Sequence, residues 1–338
     1  TSLIYQVADN GRLYQKYLGK KLNHDSDIQY LPQGTEAYLT HGMEDYFEPA
    51  IHIRHNDNNS SLLLKYVDHS SNAIGNGVNE TVITLKDDKY PVTVKLHYVA
   101  YGKENIIRAF SEISHEEKKP VILCKYASSM LHLNSSKYFL TEFSGDWAHE
   151  ANVTERELAF GKKVIDTKLG ARANMFVSPF FQLALDNPSQ ENAGEVLVGT
   201  IGWTGNFRFT FEVDNKNELR IISGINPYDS EYSLPAKEVF RTPDFYFTYS
   251  TQGKGEASRN FHDWARNHQV KNGNDTRMTL LNNWESTYFD FDENKLIGLM
   301  DEATKLGVDM FLLDDGWFGN KHPRNSDNAG LGDWEVMR

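Results

Sequence analysis

The sequence predicts a mainly β protein: a large sandwich of antiparallel strands, then the opening of a parallel α/β unit. Three observations predict it. From residue 1 to about 250, apolar residues come in short runs with period-two character, separated by Asn, Asp, Gly and Ser clusters. Aromatics make up 12% of the chain, many of them Tyr and Phe within those runs, where β propensity favours them. Near residue 250 the texture changes to helical spacing, followed by a strand, helix, strand sequence. At 338 residues, with 39% of them hydrophobic, the chain has enough apolar material for two folded domains.

Each element rests on its own residues. Ser61 to Val67 and Tyr90 to Val99 read as strands, the second alternating almost perfectly through Val92, Val94 and Leu96. Asn105 to Phe110, Glu195 to Ile201 and Asn206 to Val213 continue the pattern. Ala257 to His268 places Ala257, Phe261, Trp264, Ala265 and His268 at helical spacing, and Lys271 to Arg277 is a polar linker. Met278 to Trp284 is an apolar strand. Glu293 to Leu306 is a helix with Leu296, Ile297, Met300 and Ala303 on one face and Gly307 as its stop. Val308 to Leu313 is a second apolar strand, so the pair should run parallel. The division expected is a β domain over residues 1–250, a helical connector and linker over 251–277, and a parallel βαβ unit over 278–338. Two parallel strands with one crossover helix leave faces and edges that such sheets normally bury, so the expectation is a fragment whose further elements lie elsewhere.

Composition excludes several function classes. Thirty-five Lys and Arg against 47 Asp and Glu leave a net charge of −12, and no basic run could track phosphates, which argues against nucleic acid and anionic membranes as partners. No apolar stretch is long enough to span a bilayer and the first thirty residues lack a signal core, so the expected location is cytoplasmic. The single Cys124 cannot form an internal disulfide, and its apolar run Val121-Ile122-Leu123-Cys124 predicts a buried, inert thiol. His52 and His55 stand three apart, which on a strand puts them on opposite faces, so no shared metal is expected. Gly253-Lys254-Gly255-Glu256-Ala257-Ser258 imitates a dinucleotide loop, but Ser replaces the third Gly and the region lacks βαβ order, so no cofactor is expected.

The most informative segment is Asp314-Asp315-Gly316-Trp317-Phe318-Gly319, followed by Gly330-Leu331-Gly332-Asp333-Trp334. Carboxylates closing a parallel strand lie where α/β sheets and barrels place their ligands. Ionised acids accept hydrogen bonds from vicinal hydroxyls and an indole covers the apolar face of a sugar ring, so carbohydrate suits both. The plainer alternative is a solvent-exposed Asp-Asp-Gly turn. The segment Leu281 to Asp290 also follows a strand, and its Asn282, Asn283, Trp284 and Glu285 would face the same mouth, unless Trp284 simply caps the core.

On these residues, together with Glu44 to Ala50, Ser144 to Trp147, Trp203 to Asn206 and Phe240 to Pro243, the chain resembles glycoside hydrolase family 36, in particular its bacterial α-galactosidases of lactic-acid-bacterial type. The resemblance implies an N-terminal β-supersandwich followed by the first βα units of a (β/α)8 TIM barrel, truncated here. It implies that Asp314 and Asp315 hold hydroxyls of a galactosyl ring, that Trp284 lines that pocket, and that Asp45 is an acid brought to the rim by a neighbouring subunit. Phe47 departs from the pattern, since the family tends to have Arg there. The implied chemistry is retaining hydrolysis of raffinose- or melibiose-type α-galactosides, with two carboxyls about 5 to 5.5 Å apart. The resemblance places the nucleophile, in a Lys-Trp-Asp type motif, and the acid/base beyond Arg338, so no catalytic residue is assigned in this chain and it is expected to be inactive alone. No metal or cofactor is implied, and the implied partners are the oligosaccharide and copies of the chain, a tetramer in similar enzymes. A non-catalytic carbohydrate-binding or oligomerisation module is the alternative from another class. An α-N-acetylgalactosaminidase or a raffinose-type synthase would share the fold.

Overall fold

In the computed structural model the described residues are 1–43 and 47–337, and they form two compact units, Thr1–Val270 and Lys271 onward. Among the described residues no helix is long and apolar enough to cross a membrane.

The first unit is built on two large antiparallel sheets. One has ten strands, running across the sheet from Asn152–Glu157 through Tyr138–Ser144, Val177–Leu185, Val196–Gly202 and Asp244–Ser250. It continues through Ile106–His115, Val92–Tyr101 and Val78–Asp87 to Leu64–Gly75, with Val239–Arg241 also paired to Ile106–His115. The other has six strands, in the order Gly161–Asp166, Phe207–Val213, Glu218–Ile225, Val121–Asn134 and Tyr232–Leu234, with Ile51–Arg54 joined to Val121–Asn134. A three-stranded sheet of Ser2–Val7, Leu13–Gly19 and Thr35–Glu36 completes the β structure of this unit.

The core follows from alternation. Phe207, Phe209 and Phe211 lie on one face of their strand and are buried; Phe209 and Phe211 meet Phe181 edge-on, and Phe209 is tilted against Phe207 and Phe245. Val92, Val94 and Leu96 are buried in a second cluster while Lys95 between them is exposed, as the two-residue period requires. The same period corrects the reading of Cys124: Val121 and Leu123 take the buried face, which leaves Cys124 half-buried on the other, with partial burial pushing its thiol pKa up. His52 and His55 do part company. His52 stacks on His41 at 3.9 Å, whereas His55 is buried with a ring nitrogen 2.6 Å from Glu117.

The stretch read as a connector, residues 251–277, divides between the two units. Helix Gly253–Trp264 packs Ala257 against Ala184, Val196 and Val198, on the face of the ten-stranded sheet opposite the Phe core. The glycines that imitate a nucleotide loop are close-packing residues. A Cβ on Gly253 would lie 2.5 Å from the Gln190 carbonyl, and one on Gly255 would lie 2.8 Å from that of Glu191. After the helix, Glu104 accepts hydrogen bonds from Asn267 and His268 and ties residues 265–269 to the same sheet.

The second unit contains strands Leu280–Asn282 and Met310–Leu312, paired in parallel, with helix Glu293–Lys305 between them in sequence. Asp292 caps the helix by accepting from the Lys295 N–H at 2.8 Å, and Gly307 follows at φ +78°. This is one βαβ unit. Only Ala303 of the anticipated apolar helix face is buried; Ile297 and Met300 are exposed, as are Leu280, Met310 and Leu312 of the strands.

Candidate functional site

The two parallel strands end side by side, and their side chains are knitted together there. Asn282 turns the chain out of its strand by accepting the Trp284 N–H at 2.7 Å, so Trp284 opens a short helix, Trp284–Thr287, instead of closing the strand. The Asn282 amide donates to Asp314 at 2.6 Å, and the side-chain oxygen Oδ1 of the buried Asn283 accepts the Asp314 N–H at 2.8 Å. Asp314 in turn accepts the Asp315 N–H at 2.8 Å, and Asp315 accepts the Gly316 N–H at 2.7 Å. Each acid therefore caps the backbone of the next residue, a tight turn that fixes both carboxylates at the strand end.

Phe289 joins this turn to Trp284. The Trp284 and Phe289 rings meet edge-on at 4.9 Å, and a Cβ on Gly316 would lie 3.2 Å from the Phe289 ring. Gly316 has φ +91°, a conformation that favours glycine, so the Asp-Asp-Gly turn can lie flat on Phe289 and Phe291. Asp314, Asp315 and Trp284 are all half-buried and belong to the same small cluster of loops. Asp45 lies outside the described residues. The chain that follows it is held firmly: Glu48 forms ion pairs with Lys125 and Lys162, and its N–H reaches Glu212 at 2.9 Å. Burial alone would raise the Glu48 pKa, but the two lysines outweigh it and bring it down to about 2. Phe47 lies under the Arg220 guanidinium, whose carbon is 3.7 Å from the ring centroid.

Arg324 escaped sequence reasoning. It sits in the loop after the acid pair and donates to both Asp315 oxygens, at 2.9 and 2.6 Å. Its third nitrogen bonds the carbonyls of Ser326, Asp327 and Ala329 at 2.7 to 2.8 Å. The arginine holds the Asp315 carboxyl below the usual range, with partial burial opposing and the Gly316 N–H assisting. Asp315 is therefore an ionised acceptor near neutral pH. An acceptor of this kind suits hydroxyl groups and is poorly suited to donating a proton. Among the described residues no group of three His, Cys, Asp or Glu side chains converges to hold a cation.

Comparison with known proteins shows the family. The sequence profile of the glycosyl hydrolase family 36 N-terminal domain matches residues 11–235, and that of the melibiase family matches residues 239–338. Alpha-galactosidase Mel36A of Lactobacillus acidophilus is 28% identical over 100% of this chain and 50% of its own length. A solved variant of alpha-galactosidase AgaA from Geobacillus stearothermophilus, in complex with 1-deoxygalactonojirimycin, superposes with a TM-score of 0.89 at 27% identity, covering 99% of this chain and 51% of that one. A second AgaA variant, in complex with raffinose, superposes with a TM-score of 0.88 at 27% identity, again over 99% of this chain and 51% of that one. The chain spans about half the length of the curated relatives it matches.

Proposed function

Since the chain belongs to glycosyl hydrolase family 36, we propose that it is the galactose-gripping part of a retaining α-galactosidase acting on terminal α-galactosyl groups of raffinose- or melibiose-type oligosaccharides. In this reading Asp314 and Asp315 accept hydrogen bonds from neighbouring ring hydroxyls, and Trp284 covers the apolar side of the sugar. The observation that carries it is the cross-linked strand end, where Asn282 and Asn283 fix Asp314 and the turn delivers Asp315 beside it. The start of a (β/α)8 barrel over residues 278–338 is part of the same reading, supported by the parallel pair and its crossover helix. The nucleophile and acid/base are assigned to residues outside this sequence. A homo-oligomer in which Asp45 of one subunit reaches the pocket rim of another, working in the cytoplasm on a soluble sugar, completes the proposal.

The test is kinetic. In the full-length protein that carries this chain, Asp314→Asn and Asp315→Asn should each lower turnover of p-nitrophenyl α-galactoside and weaken galactose binding, by about tenfold or more for a lost charge-assisted hydrogen bond. Wild-type kinetics in both variants would remove the pair from the sugar site. A non-catalytic binding module would instead show galactose binding with no turnover in the wild-type protein.

A further inference from the structure

Arg324 is buried, with 7% of its side chain exposed, while 24% of the Asp315 side chain remains open. The guanidinium is thus covered while the carboxylate it holds stays partly open. Everything around the arginine is arranged to keep it there. Its guanidinium carbon lies over the rings of Phe289 and Phe318, 5.6 and 5.5 Å from their centroids. The loop then folds back on itself: Asp333 accepts the N–H groups of Lys321 and His322 at 2.8 Å, Gly319 N–H reaches the Glu335 carbonyl at 2.9 Å, and Phe318 packs on Trp334 at 4.6 Å.

Two glycines make that return possible. Gly319 has φ +103° and a Cβ there would lie 2.6 Å from the Arg324 nitrogen; Gly330 has φ +68° and a Cβ would lie 2.5 Å from the His322 carbonyl oxygen. Neither position accepts a side chain without moving the backbone that carries Arg324. The Gly330-Leu331-Gly332-Asp333-Trp334 motif, which the sugar contacts proposed above leave without a role, is therefore the frame of the arginine.

We propose that Arg324 is a positioning residue for the acid pair: its fork fixes the plane of the Asp315 carboxylate, so that the lone pair left open on Oδ2 meets a ligand hydroxyl already aligned. This deepens the proposed function and rests on it. Arginine is the residue such a task requires, because a planar fork orients a carboxylate and a lysine ammonium supplies only charge.

The experiment measures galactose binding by calorimetry across pH in the full-length protein, for wild type, Arg324→Gln and Arg324→Lys. Arg324→Gln should weaken binding about tenfold or more and move the acid-side loss of binding to higher pH, because Asp315 then protonates more readily. Arg324→Lys should return the acid-side midpoint toward wild type while affinity stays reduced. An identical pH dependence in all three proteins overturns the proposal, whatever their affinities. Should Arg324→Gln fail to fold, Arg324→Lys decides alone, and wild-type affinity in it overturns the role of the fork. Asp315→Asn separates the two layers. If it binds galactose as wild type does, the sugar site itself is misplaced; if it loses binding while the Arg324→Gln profile stays put, only the arginine's role fails.

Discussion

Replacing Asp315 by Asn tests the strand-end cluster without any ligand. Asn is nearly isosteric, but it removes the charge facing a buried guanidinium and turns one acceptor oxygen into an NH2 group. Asp315 Oδ1 accepts from both Arg324 Nε and Gly316, and Oδ2 accepts from Arg324 Nη2, so whichever oxygen is replaced, a donor then faces a donor. Breaking a fully buried pair costs about 3 to 5 kcal/mol and an exposed one at most about 1 kcal/mol. With Arg324 at 7% and Asp315 at 24% exposure, a value of about 2 kcal/mol is appropriate, or about a thirtyfold loss in local protection. Native-state hydrogen exchange reads it directly at the amides of Gly316, Gly319, Lys321, His322 and Met337, all hydrogen-bonded within this loop. Amides between Phe207 and Val213, in the other unit, serve as the control and should exchange as in wild type. A loss below about threefold in the loop, or an equal loss in the control strand, would refute the reasoning.

Two further predictions concern the β unit. Burial, with the Arg220 charge assisting, brings the His132 pKa down to about 3, so the folded protein holds it neutral where the unfolded chain, near 6.5, takes up a proton. The stability this contributes is present above about pH 6.5 and is lost as pH falls toward 3, about 2 kcal/mol by pH 5; urea midpoints at pH 7 and 5 should show His132→Gln losing correspondingly less, and an equal drop in both proteins would contradict it. Gly199 lies between two phenylalanine-bearing strands, and a Cβ there would fall 2.6 Å from the Phe181 ring and 2.8 Å from that of Phe245. Gly199→Ala should therefore cost about 1 to 3 kcal/mol in urea unfolding, and a stabilised variant would show that the core has slack there.

What was legible in the sequence was periodic. The strands around Val94 and Phe209, the helix stop at Gly307 and the parallel pairing of the strands through Leu281 and Phe311 all follow from spacing and turn chemistry. Misreadings came where phase or packing decides. Cys124 sits in an apolar run, yet only alternate members of that run are buried. The apolar run from Met278 carries the expected strand through Trp284, yet the Asn282 side chain captures the Trp284 N–H and starts a helical turn. The Gly253 and Gly255 pair answers to the backbone of residues 190–193 across the fold, which no local pattern announces. Arg324 was invisible for a related reason: nine residues of irregular loop separate it from Asp315, and the contact depends on Gly319 and Gly330 adopting positive φ. The one hint lay in Gly330-Leu331-Gly332-Asp333-Trp334, whose glycines and acid now read as the scaffold of that contact.

A crystal structure of the full-length protein soaked in galactose examines the hexose grip most directly. Sugar hydroxyl oxygens should lie about 2.5 to 3.0 Å from carboxylate oxygens of both Asp314 and Asp315, with the Trp284 indole against the ring and Arg324 still paired with Asp315. Galactose bound elsewhere, with both carboxylates left in contact only with water and Arg324, would contradict the account.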